Sequence, residues 1–317
     1  MNLICAVTGA TGFIGQRICR RLHSAGFVVR ALVRTPGRAE RLAASGVELI
    51  QGALSDGTAL DRLIQGAAVV IHCAGAVRGA TRDDFDRVNV EGTRHLLDAM
   101  QRAEQVPRLL ALSSLAAREP ALSHYAASKQ AMEQVVSDAN LDDWLVLRPP
   151  AVYGPGDREL LPVFKMMARG FALVPGKPGA RFSMIFVDDL ADAVLGWVTS
   201  PLPHAGVYSL DDGKAGGYDW TEVAAIAGDL CARRVRLAPV PSPVLNLVAT
   251  TNRVLAKIFG YLPMLTPEKL RELRHDDWVC DSTALSAAIG WHPQVQLAEG
   301  LRRTPGWAGY RPEAPAF

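Results

Sequence analysis

The sequence TGATGFIG, Thr8 to Gly15, lies between a short apolar run, Leu3–Val7, and a helical pattern near Phe13–Ala25. Three evenly spaced glycines occur in it: Gly9, Gly12 and Gly15. In such a turn the first glycine permits a tight bend, the second lets the backbone approach a phosphate, and the third lets the helix pack against the sheet. Because a helix N-terminus attracts anions, this stretch predicts a seat for the phosphates of a nucleotide.

Strand and helix patterns alternate through the first half of the chain. After Leu3–Val7 the predicted strands are Val28–Val33, Val47–Gln51, Val69–Cys73, Arg108–Ser113 and Trp144–Leu147. The later helical patterns lie near Ala39–Ser45, Ala59–Gln65, Phe85–Glu104 and Tyr125–Asn140. Continuous apolar strands are typical of a buried parallel sheet. The alternation therefore predicts an α/β fold of the Rossmann type, a doubly wound parallel sheet.

The sequence changes character after Arg148, where proline and glycine become frequent. We expect a dinucleotide-binding domain over residues 1–150, with residues 182–212 returning to it through strands at Phe182–Val187 and Val207–Leu210. Residues 151–181 and 213–317 would then form a smaller, mostly helical lobe that binds the substrate.

The composition excludes several classes of protein. The net charge is +2 without a long basic run, which gives no sign of a nucleic-acid partner. The five cysteines form no CxxC pair and no metal-ligand spacing, so we expect no metal site and a reducing, cytoplasmic setting. No signal peptide or transmembrane segment is evident. The apolar stretch Pro243–Leu265, interrupted by Asn, Arg and Lys, predicts an amphipathic helix that either lines a pocket or contacts a membrane.

The end of the second predicted strand indicates which dinucleotide binds. An acidic residue there would bond the ribose 2′-hydroxyl and favour NAD. Instead Val33 occupies that position, Arg34 follows it, and Arg38 lies one loop onward. A guanidinium suits a 2′-phosphate, which it grips with paired hydrogen bonds. We therefore expect NADP(H), with NAD(H) as the alternative.

A second motif, YAASK, predicts acid–base chemistry. Tyr125 and Lys129 are four residues apart in a helical pattern and share one face. A nearby ammonium lowers the pKa of a phenol because it favours the phenolate. Such a phenol exchanges a proton with a carbonyl or hydroxyl oxygen while hydride moves at a nicotinamide. Ser114, just past a predicted strand, is suited to hold the same oxygen.

Together these motifs resemble the extended branch of the short-chain dehydrogenase/reductase family, which includes epimerases and dehydratases. The motifs that carry the resemblance are TGATGFIG at Thr8, HCAG at His72, NVEGT with Asn89, SS at Ser113, YAASK at Tyr125, RPPAVYGPGD at Arg148, VDDLADA at Val187 and AIGWHP at Ala288. They span nearly the whole chain.

The resemblance implies a catalytic triad of Ser114, Tyr125 and Lys129. Asn89 would support the active-site helix or a proton-relay water. The residues that it places around the cofactor, with those reasoned above, are Gly9, Thr11, Gly12, Phe13, Ile14, Gly15, Arg34, Arg38, Leu54, Cys73, Ala74, Gly75, Ser113, Tyr125, Lys129 and Pro149. The helical patterns at Phe85–Glu104 and Tyr125–Asn140 resemble those that form a two-fold interface in the family, which implies a homodimer.

The sequence departs from the family pattern at positions that bear on which reaction it catalyses. Ala53-Leu54 stand where the family often has an aspartate that touches adenine. Leu115-Ala116 replace the acids of the dehydratases, which argues against sugar dehydration. The segment LPMLTPEKLRELRHDDWVCD resembles the branch of 3β-hydroxysteroid dehydrogenases and dihydroflavonol reductases.

We therefore expect an NADP(H)-dependent oxidoreductase that interconverts a ketone and a secondary alcohol on a bulky, apolar small molecule. One alternative is a sugar-nucleotide epimerase or reductase, and another is a non-catalytic NADP-binding regulatory protein.

Overall fold

The computed structural model describes residues 3–201, 203–263 and 265–308. These residues divide into two compact units. The first unit comprises the chain up to Arg148 together with Ala191–Tyr208 and Leu285–Trp291. The second unit comprises Pro149–Leu190, Ser209–Ala284 and the chain from His292 onward.

The secondary structure of the described residues alternates strands and helices. The strands are β1 Ile4–Thr8, β2 Val28–Val33, β3 Glu48–Gln51, β4 Val69–His72, β5 Arg108–Leu112, β6 Trp144–Arg148, β7 Ala151–Tyr153, β8 Phe171–Val174, β9 Arg181–Phe182, β10 Met184–Phe186, β11 Ala205–Ser209, β12 Arg236–Pro239 and β13 Asp277–Trp278. The helices are α1 Phe13–Ser24, α2 Glu40–Ala44, α3 Gly57–Ile64, α4 Arg82–Asp86, α5 Gly92–Gln101, α6 His124–Ser137, α7 Leu161–Ala168, α8 Val187–Thr199, α9 Trp220–Leu230, α10 Ser242–Phe259, α11 Pro267–Arg274, α12 Thr283–Ile289 and α13 Leu297–Arg303.

Seven of these strands form one sheet in the order β11-β6-β5-β4-β1-β2-β3. The pairings among β1 to β6 are parallel, with Ala6 opposite Arg30 on one side and Val70 on the other. The chain reverses its direction of progress across the sheet between β1 and β4. This is the Rossmann arrangement, and in it ligands bind at the carboxyl ends of the strands beside that reversal.

The core of the first unit follows from the apolar strands and the amphipathic helices that cover them. Buried side chains of β4 and β5, such as Val70 and Leu109, pack with Leu63 of α3 and Met100 of α5. Because both faces of the sheet are covered, the strands are apolar throughout rather than alternating.

One expected strand does not join the main sheet. The run predicted at Phe182–Val187 forms β9 and β10, which pair in parallel with β13 and β7 in separate two-stranded sheets. The expected return of residues 182–212 is therefore wrong for this strand, whereas β11 does extend the sheet beside β6. An apolar strand pattern specifies burial but not which neighbour a strand pairs with.

The second unit has a core of its own. Tyr153, Phe164, Phe186 and Trp307 are buried, and their rings pack edge to face in three pairs at centroid distances of 5.6 to 6.2 Å. Asp189 is buried and accepts hydrogen bonds from the backbone N–H groups of Gln294 and Val295 at 2.9 and 2.8 Å. Its carboxylate thus fixes the segment that leads into α13.

Candidate active site

The glycine turn joins β1 to α1 at the point where the sheet order reverses. Gly9 has φ +69°, a left-handed conformation that favours glycine. A Cβ added there would lie 2.5 Å from the carbonyl carbon of Cys73 and from the amide nitrogen of Ala74. A Cβ added at Gly15 would lie 2.3 Å from the Gly9 carbonyl oxygen. The glycines therefore let the turn, α1 and the segment after β4 pack backbone to backbone.

The N-terminus of α1 has the properties that an anion site requires. Gly12 is its N-cap residue and provides no side-chain cap, and the first turn carries no acid. The first N–H groups of a helix lack intrahelical partners and attract anions. Thr11 and Gly12 are exposed and Phe13 and Ile14 half-buried, so this end is open to solvent. The turn therefore fits the pyrophosphate of a dinucleotide.

Two arginines follow the adjacent strand β2. Arg34 and Arg38 are exposed, and neither forms an ion pair with a residue in the part of the chain that the structure describes. Their positive charges are thus available to an external anion. Leu54, in the loop after β3, is half-buried and packs against α5, where a Cβ added at Gly92 would lie 2.6 Å from its Cδ1.

A buried histidine ties the carboxyl ends of β1 and β4 together. His72 Nδ1 lies 2.7 Å from Thr8 Oγ1, and its Nε2 lies 3.0 Å from Thr93 Oγ1. Thr93 donates its proton to the Asn89 carbonyl, so it accepts from Nε2–H, and Nδ1 accepts from Thr8. Burial, with help from the charge of Lys129, lowers the pKa of His72 to about 3. His72 is therefore a neutral structural link.

Asn89 connects the segment after β4 to helix α6. Its side chain is buried, accepts from the Ala76 N–H at 2.7 Å and donates to the Ala76 carbonyl at 3.1 Å. The same amide donates to Ser128 Oγ at 2.9 Å, and Ser128 donates to the Tyr125 carbonyl at 2.8 Å. Asn89 lies in a π-helical turn, Arg87–Glu91, which interrupts the single helix expected over Phe85–Glu104. Such turns often occur at functional sites.

Lys129 is buried at the carboxyl end of β5. Its Nζ donates to the Leu112 carbonyl at 2.8 Å. A Cβ added at Gly75 would lie 3.1 Å from this Nζ and 3.2 Å from Asn89 Oδ1, so Gly75, Lys129 and Asn89 meet. Burial lowers the pKa of Lys129 to about 8, against the opposing effects of Cys73 and Glu133.

A buried acid on the same helix face was not anticipated. Glu133 accepts from Arg148 Nε at 2.9 Å and from its Nη2 at 2.5 Å, and it also accepts from the Ser113 hydroxyl. The expected cofactor residue Ser113 is thus bonded through its side chain to Glu133. The signal was present in the sequence, because Glu133 lies one helical turn after Lys129 and two after Tyr125.

The other expected catalytic residues flank this cluster. Tyr125 is half-buried in the first turn of α6, and its ring lies 6.0 Å from that of Phe85. Ser114 is half-buried and caps a 3₁₀ turn, Leu115–Arg118, by accepting from the Ala116 N–H at 3.2 Å. Pro149 is buried and begins the second unit. The first unit therefore carries a glycine-rich turn with an open helix N-terminus after β1, and a helix bearing Tyr125 and Lys129 after β5.

Comparison with known proteins agrees with this architecture. The model of the NAD dependent epimerase/dehydratase family matches residues 5–209. The ceramide reductase of Caulobacter vibrioides is 36% identical over 313 residues, covering 98% of this chain and 96% of that protein. The 2-alkyl-3-oxoalkanoate reductase of Shewanella oneidensis is 31% identical over 335 residues, covering 94% and 84%.

Among solved structures, UDP-glucose 4-epimerase from Bifidobacterium longum in complex with NAD⁺ and UDP is similar with a TM-score of 0.72 and 19% identity, covering 98% of this chain and 99% of that one. At this identity the likeness shows a shared fold alone. The family match and the full-length reductase relatives show more: the chain belongs to the NAD dependent epimerase/dehydratase family, in the extended branch of the short-chain dehydrogenases/reductases, and it is an oxidoreductase.

Proposed function

We propose that the protein is an NADP(H)-dependent reductase that converts a ketone on a bulky, apolar molecule into a secondary alcohol. The observation that carries this proposal is the buried Lys129, held by the Leu112 carbonyl one helical turn from Tyr125 and against Gly75. A buried lysine one helical turn from a tyrosine is suited to support proton transfer, because burial adjusts the pKa of the lysine.

The first unit would hold the cofactor. The backbone of Gly9, Gly12 and Gly15, with Thr11, Phe13 and Ile14, would face the pyrophosphate at the α1 N-terminus. Arg34 and Arg38 would pair with the 2′-phosphate. The remaining lining residues of the first unit would be Leu54, Cys73, Ala74, Gly75 and Ser113. When bound, the reduced nicotinamide supplies the hydride for the carbonyl carbon.

The chain itself would handle the proton. Tyr125 would donate its phenolic proton to the ketone oxygen as that oxygen gains negative charge, and Lys129 would stabilise the resulting phenolate. The Ser114 hydroxyl would donate a hydrogen bond to the same oxygen. Asn89, through Ser128 and the Tyr125 carbonyl, would hold the first turn of α6 in position.

The names of the relatives support the proposal that the substrate is a ketone with apolar groups. Two of them are named reductases, one of ceramide and one of a 2-alkyl-3-oxoalkanoate, and the second name states a keto group. Both kinds of substrate contain alkyl chains. Leu115 and Ala116, which follow Ser114, are buried and apolar and offer no acid for sugar dehydration.

The substrate class is tested by NADPH consumption with a panel of compounds. The panel contains hydrophobic β-keto amides and esters on one side and nucleotide sugars on the other. We expect turnover with the hydrophobic ketones only. Product analysis by chromatography accompanies the NADPH readout, because an epimerase regenerates its cofactor and consumes no net NADPH. NADPH consumption or epimer formation restricted to nucleotide sugars would assign the protein to the sugar-reductase or epimerase alternative. Cofactor binding with no conversion of either set would favour the regulatory one.

The cofactor preference is tested separately by titrating NADPH and NADH. We expect NADPH to bind more tightly, and Arg34→Ala combined with Arg38→Ala to reduce its affinity by about tenfold to a hundredfold through the lost ion pairs. Arg20→Ala, an exposed arginine on α1, serves as the matched control. Equal binding of the two cofactors by the wild-type protein would show that the assignment to NADP is wrong.

A further inference from the structure

Helix α10 exposes its apolar face and buries a smaller, more polar one. The exposed apolar residues lie along one side of the helix: Val244, Leu247, Val248, Val254, Leu255 and Phe259. Leu247 and Phe259 are the most open, with relative exposures of 69% and 73%. The inward face presents Ala249 and Ala256, which are fully or almost fully buried. This is the reverse of the pattern expected for a helix that packs its apolar stripe on the protein core.

Specific polar contacts fix α10 in this orientation. Asn252 donates from Nδ2 to the Leu265 carbonyl at 2.9 Å and accepts from the Tyr261 hydroxyl at 2.6 Å. Arg274 of α11 donates to Asn246 Oδ1 at 3.2 Å, and Arg253 pairs with Glu268 at 3.4 Å. Rotating the helix to bury its apolar stripe would break these bonds. These contacts therefore keep the apolar stripe exposed on the second unit. Contiguous exposed apolar patches mark interaction sites.

The charge around α10 indicates what it contacts. From Cys231 to Pro267 the sequence has five basic residues and no Asp or Glu. The whole chain has a net charge of only +2, so the remainder is net negative. The segment that exposes the apolar stripe is thus positively charged, and of its five basic residues Arg253 is paired with Glu268 of α11. A second copy of the chain would bring two such positive segments together, which disfavours self-association through this face.

We propose that α10 is an interfacial helix that docks the protein on the surface of an anionic lipid bilayer. Amphipathic helices with basic residues and an apolar stripe lie in the plane of a membrane, with apolar side chains inserted at the headgroup boundary and basic ones near the lipid phosphates. Asn252 and Arg253 interrupt the apolar sequence of the 18-residue helix α10, as expected for a helix that lies on a bilayer. Within the described part of the chain, no helix has the length and apolar character needed to cross a membrane.

The strand before α10 also lies beside exposed apolar and basic side chains. β12 leads through Val240 and Pro241 into α10, and it pairs with β8 so that Arg236 lies opposite Phe171. Phe171 and Leu173 of β8 are exposed, whereas Ala172 and Val174 between and after them are buried. One face of this two-stranded sheet thus also combines exposed apolar side chains with an arginine.

The test is flotation of the full-length protein with vesicles of phosphatidylcholine alone and of phosphatidylcholine with phosphatidylglycerol. We expect binding to the anionic vesicles, weakened by salt, and much less to the neutral ones. Leu247→Gln combined with Phe259→Gln is expected to reduce the bound fraction roughly tenfold or more, since two inserted side chains are lost. Val106→Gln, at a residue of 54% exposure in the first unit, is the matched control and is expected to bind like wild type.

Three results would overturn the proposal. One is no vesicle binding by the wild-type protein, and another is equal loss of binding in Val106→Gln. The third is a concentration-dependent dimer, seen by analytical ultracentrifugation and abolished by Leu247→Gln with Phe259→Gln, which would assign the face to a second copy. The docking surface does not depend on the proposed reaction, and thermal melting of each variant shows whether it is folded.

Discussion

The ammonium of Lys129 lies 2.8 Å from the Leu112 carbonyl oxygen at the carboxyl end of β5. The contact holds a buried cation where the segment after β4 and helix α6 meet. A strand-end carbonyl accepts a hydrogen bond from the charged lysine and offsets part of the cost of its burial. The position of Lys129 is therefore determined by the sheet, and its protonation is open to adjustment by its neighbours.

Alkaline pH is expected to abolish activity. Burial lowers the pKa of Lys129 to about 8, so the ammonium is present below that pH and is lost as pH rises through it. If the charged lysine supports Tyr125, then log(kcat/KM) for ketone reduction falls above about pH 8 with a slope near −1. A steady-state pH profile measures this, and a profile that stays flat to about pH 10 would refute the role of the charge.

Glu133→Gln is expected to move that alkaline limb to lower pH. The negative charge of Glu133 raises the pKa of Lys129, so its removal lowers that pKa further. The amide can still accept from Ser113. The measurement is the same pH profile, with Asp138→Asn, an exposed acid just after α6, as the matched control. An unchanged limb in Glu133→Gln would limit Glu133 to a structural role.

Gly75→Val is expected to reduce kcat about tenfold or more by displacing the lysine. A Cβ at residue 75 would already lie 3.1 Å from Lys129 Nζ, and the branches of valine need further room. A displacement of about 1 Å near the reacting atoms can reduce the rate by one to two orders of magnitude. Gly57→Ala, where an added Cβ meets no atom within 4 Å, is the control. Wild-type kinetics in Gly75→Val would contradict the close approach.

The sequence predicted the strands of the first unit well because buried parallel strands are continuous apolar runs. The predicted strand Val28–Val33 matches β2 residue for residue. The π turn at Arg87–Glu91 was missed, because apolar periodicity does not register a single widened turn. The partners of β9 and β10 depend on contacts distant in the chain, which local pattern does not encode.

The site was predictable where a residue type and its spacing imply chemistry, as with Tyr125 and Lys129. It was not predictable where burial decides the role. In the sequence Glu133 and Arg148 cannot be distinguished from exposed charged residues. In the structure Glu133 is buried and accepts two hydrogen bonds from the Arg148 guanidinium. His72, known from the sequence only as the start of the HCAG motif, is likewise buried, and its two ring nitrogens are hydrogen-bonded to Thr8 and Thr93.

Acid is expected to destabilise the protein through His72. Burial lowers its pKa to about 3, whereas an unfolded histidine protonates near 6.5. Between these values the unfolded chain binds one more proton, so the free energy of unfolding decreases by up to about 1.4 kcal/mol per pH unit as pH falls. Urea denaturation at several pH values measures this slope. His72→Gln is expected to lower stability at neutral pH but to flatten the slope by one proton, and exposed His95→Gln is the control. Equal slopes in all three proteins would show that His72 is not buried neutral.

The most direct test of the account is the effect of Tyr125→Phe on NADPH-dependent reduction of a hydrophobic ketone. NADPH binding is followed by fluorescence in the same samples. We expect the variant to bind NADPH like wild type and to lose about two to four orders of magnitude in kcat, because only the donated proton is removed. Wild-type turnover in Tyr125→Phe, with the protein folded and NADPH bound, would rule out Tyr125 as the proton donor.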